Sequence, residues 1–419
     1  MKTEYNITKM LKGARSASFK LSALSSDVKD RALSFMSQAI IDKKDYIIRQ
    51  NHKDVEAARS KSLSVSSIDR LVLNAKRISQ MSDSLKELIL LKDPVGDIIS
   101  QKKRPNGLVI KKVRVPIGVI LIIYESRPNV TSDCIGLCLK SGNVSILRGG
   151  SEAFKTNTAI FKVLKNAAKR AGLPEYAFNL VLTTRRDVVS MLLKQSDYID
   201  LVIPRGGEGL IRKVAETSRI PVIKHYKGIC SVYVDSKADL KMAEIVCLNA
   251  KLQRPSVCNS VETLLLHQTI ADKFLDRIFT KLNDAGVEIR GCSKTYKILK
   301  GKIKRAKISD WSTEFLGFIL AVKIVRTIDE AIDHINQYGS HHSDSIITSN
   351  KNTANQFLSC VDSAAVFLNA STRFSDGHQF GMGAEIGIST DKIHARGPMG
   401  LEELTIYKYQ VLGNGQIRT

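Results

Sequence analysis

The stretch Asn249-Ala250-Lys251-Leu252-Gln253-Arg254-Pro255-Ser256-Val257-Cys258-Asn259 sets one cysteine just past a proline and two cations. A cysteine nucleophile acts as its thiolate, which nearby cations and helix N-termini favour. Lys251 and Arg254 are read as the local positive charge. Pro255 breaks a preceding helix, which predicts Cys258 on a loop just before a strand, where functional groups are often displayed. The plain alternative is a small thiol buried for packing. Glycine-rich loops supply a second kind of chemistry: Leu147-Arg148-Gly149-Gly150-Ser151-Glu152, Pro204-Arg205-Gly206-Gly207-Glu208-Gly209, and Phe380 to Gly387. The first two follow a strand and open a helix, where backbone N–H groups and the helix dipole can receive phosphate. Neither fits G-x-G-x-x-G or the P-loop, and glycines that only permit tight turns are the competing explanation.

Metal chemistry finds little support. The seven cysteines form no Cys-x-x-Cys, Cys134 and Cys138 lack a second pair at zinc spacing, and the adjacent His341-His342 would seldom face one ion. No metal is expected. An odd number of cysteines reads as reduced thiols in an intracellular protein.

These groups must be carried by a folded scaffold. The 419 residues suggest two or three domains, and 43% hydrophobic with 25% charged residues excludes disorder and fibrous repeats. The apolar run Val115–Tyr124 has only ten residues, too few to cross a bilayer, and Met1–Tyr5 leads into no signal-like segment. A soluble cytoplasmic protein is expected. A net charge of +23 attracts anions. The basic residues are scattered, however, and aromatics are 6%, so specific nucleic-acid binding is not expected.

The pattern along the chain predicts an α/β fold. Ser25-Ser26-Asp27 can cap a helix reaching about Arg49, and more helix follows to about Leu91. Asp97–Ser100 and Leu108–Val113, around Pro105-Asn106-Gly107, read as a hairpin. Strands are then expected at 115–123, 144–147, 178–182, 201–203 and 222–223, with a helix over 153–168 stopping at Gly172 and another over 206–217. A second set begins at Ser231–Val234: strands 261–266, 318–325, 345–347 and 364–368, with helices 240–250, 270–282, 328–338 and 353–360. Buried strands alternating with helices mark parallel sheets, giving two lobes joined near Lys224 to Ile229. The tail Leu401–Val411 reads as one more strand.

Val115-Pro116-Ile117-Gly118-Val119-Ile120, Tyr124-Glu125-Ser126-Arg127-Pro128-Asn129-Val130, Leu139–Asn143, Leu147–Glu152, Lys224-His225-Tyr226-Lys227-Gly228, Gln253-Arg254-Pro255 with Cys258-Asn259, and Val361–Ala365 through Arg396–Leu404 occur in order across nearly the whole chain. Together they resemble the γ-glutamyl phosphate reductases (glutamate-5-semialdehyde dehydrogenases) of the aldehyde dehydrogenase superfamily. The resemblance implies two Rossmann-like α/β lobes, for cofactor and catalysis, plus a small β oligomerisation element. Residues 1–95 and 116–229 would bind NADP, 230–400 would carry Cys258, and 96–115 with 401–419 would form the oligomerisation hairpin and tail.

The resemblance further implies NADPH-dependent reduction of L-glutamyl 5-phosphate to L-glutamate 5-semialdehyde with release of phosphate, a step of proline biosynthesis. Cys258 would be the nucleophile and Asn129 an oxyanion donor, with Arg127 competing for that position. His225 stands nearest the place of the glutamate that activates water in hydrolytic relatives, so the thioester would be spared from water; a purely structural histidine is the alternative. Arg148 and Ser151 would meet the adenosine ribose, a cation and a hydroxyl favouring NADP, with Gly206 and Gly207 as further cofactor contacts. Glu314 and Phe315 resemble the motif at the nicotinamide ribose. Arg127, Arg254 and Arg373 are alternatives for the substrate carboxylate. A homodimer or higher homo-oligomer and a transient contact with γ-glutamyl kinase are the implied partners. A hydrolysing aldehyde dehydrogenase and a nucleic-acid-binding protein on a retained enzyme scaffold are the competing functions.

Overall fold

A computed structural model describes residues 2–125 and 127–418. Met1, Ser126 of the Tyr124–Val130 stretch and Thr419 at the end of the tail lie outside them. The chain divides into two units: residues 1–224, 381–387 and 399–419 form the first, and 225–380 with 388–398 form the second. The division falls after Lys224, whereas the lobes read from the sequence are 1–95 with 116–229, and 230–400. Residues 381–387, which the sequence pattern places in the second lobe, go with the first unit.

In the first unit, the strands after the hairpin β1 (Ile98–Lys103) and β2 (Val109–Pro116) are β3 (Val119–Tyr124), β4 (Val144–Gly149), β5 (Phe178–Leu180) and β6 (Leu201–Arg205). They make a parallel sheet in the order β5-β4-β3-β6. Every residue of β3 is buried, as a central strand covered on both faces requires. The expected strand 115–123 is in fact two, because Gly118 turns the chain with φ +131°. A Cβ there would stand 2.2 Å from the Asp200 carboxylate, which accepts from the Val119 N–H at 2.7 Å and pairs with Arg15. The expected strand 222–223 reduces to a single bridge from Val222 to Val202.

The helix expected to 49 is two, Ser26–Asp42 and Lys44–Ser60, broken at Lys43. Ser25 holds the N-cap position, but its side chain makes no cap bond. Helix Phe154–Arg170 stops where Gly172 predicts: Gly172 has φ +81°, and the Leu173 N–H reaches back to the Ala168 carbonyl at 3.1 Å. Helices Asn129–Lys140 and Arg186–Leu192 carry no strong boundary signal and are not anticipated by the pattern.

The second unit continues with β7 (Cys230–Val234), β8 (Val261–His267), β9 (Glu288–Gly291), β10 (Lys304–Arg305), β11 (Ile319–Val325), β12 (Ser343–Ile347) and β13 (Ala365–Leu368). All seven pair in parallel, in the order β10-β9-β11-β8-β7-β12-β13. Its predicted strands and helices all form; β9 and β10 are additions, too short to carry a periodic signal. Val232, Leu264, Val322 and Phe274 lie in one buried cluster beneath helices Leu240–Leu252 and Ala271–Asp284. The first of these helices is capped by Asp239, which accepts from the Lys241 and Met242 N–H groups.

Two short strands, β14 (Gly387–Ser389) and β15 (Gly397–Met399), pair with each other. The last strand, β16 (Thr405–Leu412), runs antiparallel to β2 from Thr405 opposite Pro116 to Leu412 opposite Val109. It completes the sheet β1-β2-β16, and Tyr407, Tyr409, Val411 and Leu412 on it are exposed. No helix of the described residues is long and apolar enough to cross a membrane.

Candidate active site

Cys258 lies where the sequence puts it, on the loop between helix Leu240–Leu252 and β8, and is half-buried. Its neighbours fix its backbone rather than its sulfur. The buried Cys230 thiol donates to the Cys258 carbonyl at 3.2 Å, and burial pushes that thiol well above the ordinary range, so it stays protonated and able to donate. Asn259 donates to the Ser375 carbonyl at 2.9 Å, and its own carbonyl accepts from Thr372 Oγ1 at 2.7 Å. Gly228 packs directly on the Cys258 backbone: a Cβ on Gly228 would meet the Cys258 oxygen at 2.0 Å and its Cα at 2.5 Å. Only glycine fits there.

The expected cation Lys251 is not beside the thiol. It is fully buried and bonded to Glu262 at 2.7 Å and to the Val261 carbonyl at 2.9 Å. Its side chain reaches instead to the first two residues of β8, so sequence proximity misled. The cations that do flank the loop are arginines. Arg254 is exposed, and Arg373 is half-buried with its Nε on Gln253 Oε1 at 2.8 Å. Burial and the neighbouring Arg254 charge lower the Arg373 pKa, while Cys258 acts in the opposite sense.

His225 Nδ1 sits 2.9 Å from the Ile388 carbonyl. A carbonyl only accepts, so Nδ1 carries the proton and the neutral ring keeps its lone pair on Nε2. The ring meets the buried His342 edge to face at 5.8 Å. Glu314 Oε1 accepts the Gly228 N–H at 2.8 Å, and the Arg290 guanidinium lies 5.1 Å from the Phe315 ring centroid. The structure therefore brings His225, Gly228, Cys258 and Glu314 together within the second unit. Cys230 and His342, to which the sequence reading gave no part in this site, join them; a buried thiol beside a motif histidine leaves no pattern to read.

Behind them, buried Asp344 accepts from the Ser231 N–H at 2.7 Å and from Ser363 Oγ at 2.5 Å. Burial pushes its carboxyl up to about 6. A carboxyl with a raised folded pKa holds its proton more tightly folded than unfolded, so stability is lost as pH climbs from about 4 through about 6. Asp344→Asn removes that dependence. Between pH 4 and 7 the unfolding free energy of the variant relative to wild type should rise by up to about 3 kcal/mol, checked by urea titration at each pH; a constant difference would refute it.

The remaining candidates lie in the first unit. Asn129 opens helix Asn129–Lys140 and gives one amide hydrogen to Asp133 Oδ2 at 2.9 Å. Burial raises the Asp133 carboxyl to about 6. Arg127 is exposed. Arg148, at the end of β4, donates to the Gly149 and Thr184 carbonyls at 3.1 Å each, and its Nε is buried with no hydrogen-bond partner. Ser151 is exposed in the short turn that follows. A guanidinium with an unpartnered nitrogen, followed in the chain by an exposed serine, is a pair of groups that suits an anionic ligand. Gly206 and Gly207 fit one less well. The Glu125 carboxylate already accepts the Gly207 N–H at 3.0 Å and stands 2.4 Å from where a Gly206 Cβ would be. Among the described residues, no group of three or more His, Cys, Asp or Glu could hold a metal ion.

The sequence pattern of the aldehyde dehydrogenase family matches residues 1–290. A γ-glutamyl phosphate reductase of Thermodesulfovibrio yellowstonii is 54% identical over 407 residues, covering 97% of each chain. The chain belongs to the γ-glutamyl phosphate reductase branch of the aldehyde dehydrogenase family. Crystals of the Thermotoga maritima γ-glutamyl phosphate reductase show the same fold at 46% identity, with a TM-score of 0.96 over 98% of this chain and 99% of that one. An engineered glycolyl-CoA reductase solved with bound NADP+ has 14% identity and a TM-score of 0.68, covering 97% of this chain and 96% of that one, a likeness of fold alone. Membership in this branch makes the protein an oxidoreductase of proline biosynthesis in a family that works with nicotinamide cofactors.

Proposed function

We propose that Cys258 carries the reduction of L-glutamyl 5-phosphate to L-glutamate 5-semialdehyde, with NADPH as the reductant. The reading rests on the similarity to γ-glutamyl phosphate reductases, which runs through both units and includes the Cys258 loop. The Cys258 thiolate attacks the acyl carbon, the C–O bond to phosphate breaks, and a thioester remains. NADPH, when bound, supplies the hydride that takes the thioester to the thiohemiacetal. Collapse of the thiohemiacetal releases the aldehyde and returns the sulfur. Each addition builds negative charge on the former carbonyl oxygen, which the Cys258 N–H and the free hydrogen of the Asn129 amide would stabilise. Losing one such donor typically costs about a hundredfold or more.

His225, with its lone pair on Nε2, is suited to moving a proton at the thiohemiacetal. No carboxylate occupies its place in Lys224–Gly228 to activate water, which spares the thioester from hydrolysis. Arg373 is the cation we assign to the substrate α-carboxylate, because its contacts with Gln253 and Asn259 hold it against the Cys258 loop from both sides. Arg254 and Arg127, both exposed, are second to it. Arg148 and Ser151 would receive the ribose 2′-phosphate, and Glu314 with Phe315 the nicotinamide ribose.

The test is a reverse assay. Glutamate 5-semialdehyde should reduce NADP+ only when inorganic phosphate is present, and more efficiently than NAD+. Phosphate-independent turnover would point instead to a hydrolysing dehydrogenase. The protein is proposed to be cytoplasmic and a homodimer or higher homo-oligomer, receiving its labile substrate from a γ-glutamyl kinase. The exposed apolar residues of β16, on a sheet edge, support self-association. A monomeric mass by light scattering at micromolar concentration would overturn it.

A further inference from the structure

Lys251 and Glu262 are both fully buried. Removing two charges from water costs several kcal/mol each, and replacing such a pair by apolar residues is often neutral or stabilising. Its presence therefore calls for a role other than stability. Each partner has a second bond. Lys251, in the last turn of its helix, also holds the Val261 carbonyl at 2.9 Å, so it ties the start of the Cys258 loop to its end. Glu262 Oε1 accepts the Leu316 N–H at 3.0 Å. Leu316 takes the left-handed conformation, φ +52°, and follows directly on Glu314 and Phe315. Glu314 in turn holds Gly228, which lies on the Cys258 backbone. The contacts close into a ring: Cys258 loop, Glu262, Leu316 and Glu314, Gly228, Cys258.

We propose that the Lys251–Glu262 pair is a positioning device that sets the Glu314–Leu316 segment in register with the Cys258 loop. The inference rests on the roles assigned above to Cys258 and Glu314. The bond that matters is from the Glu262 acceptor to the Leu316 N–H; Lys251 keeps that acceptor oriented and its charge compensated. Neither residue touches substrate or cofactor. Losing the acceptor frees the segment, which lowers cofactor affinity before it affects the thiol.

Two full-length double variants test this. Lys251→Met/Glu262→Leu removes both charges and the acceptor, while Lys251→Met/Glu262→Gln removes the charges and keeps an oxygen for Leu316. Trp311, the only tryptophan of the chain, lies three residues before Glu314 and reports on the segment through acrylamide quenching. The Leu variant is expected to raise the KM for NADP+ at least fivefold and the quenching constant about twofold, with the rate of Cys258 alkylation by iodoacetamide unchanged. The Gln variant should recover most of both losses. Wild-type values in the Leu variant, or equal losses in both variants, would overturn the proposal. If the Leu variant does not fold, a rise of fivefold or more in the KM for NADP+ with the Gln variant overturns it, and any smaller rise upholds it. Glu314→Gln separates this from the underlying reading: an unchanged KM for NADP+ there would remove the ribose role of Glu314, and Trp311 quenching would still judge the clamp.

Discussion

Cys258→Ala is expected to lower phosphate-dependent NADP+ reduction more than about ten-thousandfold, because no neighbouring group can replace a covalent nucleophile. The loss should appear in kcat, with folding left intact. Cys258 is half-buried on a loop whose hydrogen bonds run through backbone atoms and Asn259, so alanine leaves them in place. Circular dichroism and the unfolding midpoint should match wild type within about 1 kcal/mol. Retained turnover would sink the thioester route. Three of the other six cysteines provide an internal control. Cys134, Cys138 and Cys247 are buried thiols whose pKa values burial raises, and none should react with iodoacetamide at the rate of Cys258.

Gly228→Ala is expected to cost at least about a hundredfold in kcat, the usual effect of an ångström-scale displacement of a reacting group. The added methyl would meet the Cys258 oxygen, Cα and carbonyl carbon at 2.0, 2.5 and 2.6 Å, all backbone atoms that cannot swing aside as a side chain could. Either the Cys258 loop or the 225–229 segment must shift, and the Gly228 bond to Glu314 shifts with it. Overpacking of this kind also costs about 1–3 kcal/mol of stability. Loss of activity should therefore accompany a lower urea midpoint, distinguishing this variant from Cys258→Ala. Normal kcat in Gly228→Ala would mean that the close approach plays no part in turnover.

Much of the scaffold is legible from periodicity. Helix Ile328–Tyr338 has the predicted bounds, and β7, β8, β11 and β13 fall within a residue or two of theirs, because each is a short apolar run between clear turn residues. The failures have local causes. Gly118 lies inside an apolar run that looks continuous, and only its positive φ and the Asp200 carboxylate against it reveal a break. Helix Asn129–Lys140 is buried nearly all round, so it has no polar face for a helical period to show.

For the site, the sequence located groups that lie in one local context: Cys258 on the loop before β8, and Arg148 and Ser151 where β4 runs into the next turn. It misplaced one charge: Lys251 looked like the cation that activates the thiol and is instead locked to Glu262, and the Gly206–Gly207 turn meets the Glu125 carboxylate. Both outcomes depend on which way a side chain turns, a matter of packing that residue type and spacing do not encode. The contact of Gly228 with Glu314 spans 86 residues. Residue type and spacing determined what this protein's groups can do, since thiols, amides and guanidiniums keep their chemistry in any fold. Only the tertiary structure decided which of them meet, because burial and hydrogen-bond satisfaction are properties of the assembled sheet and not of any stretch of chain.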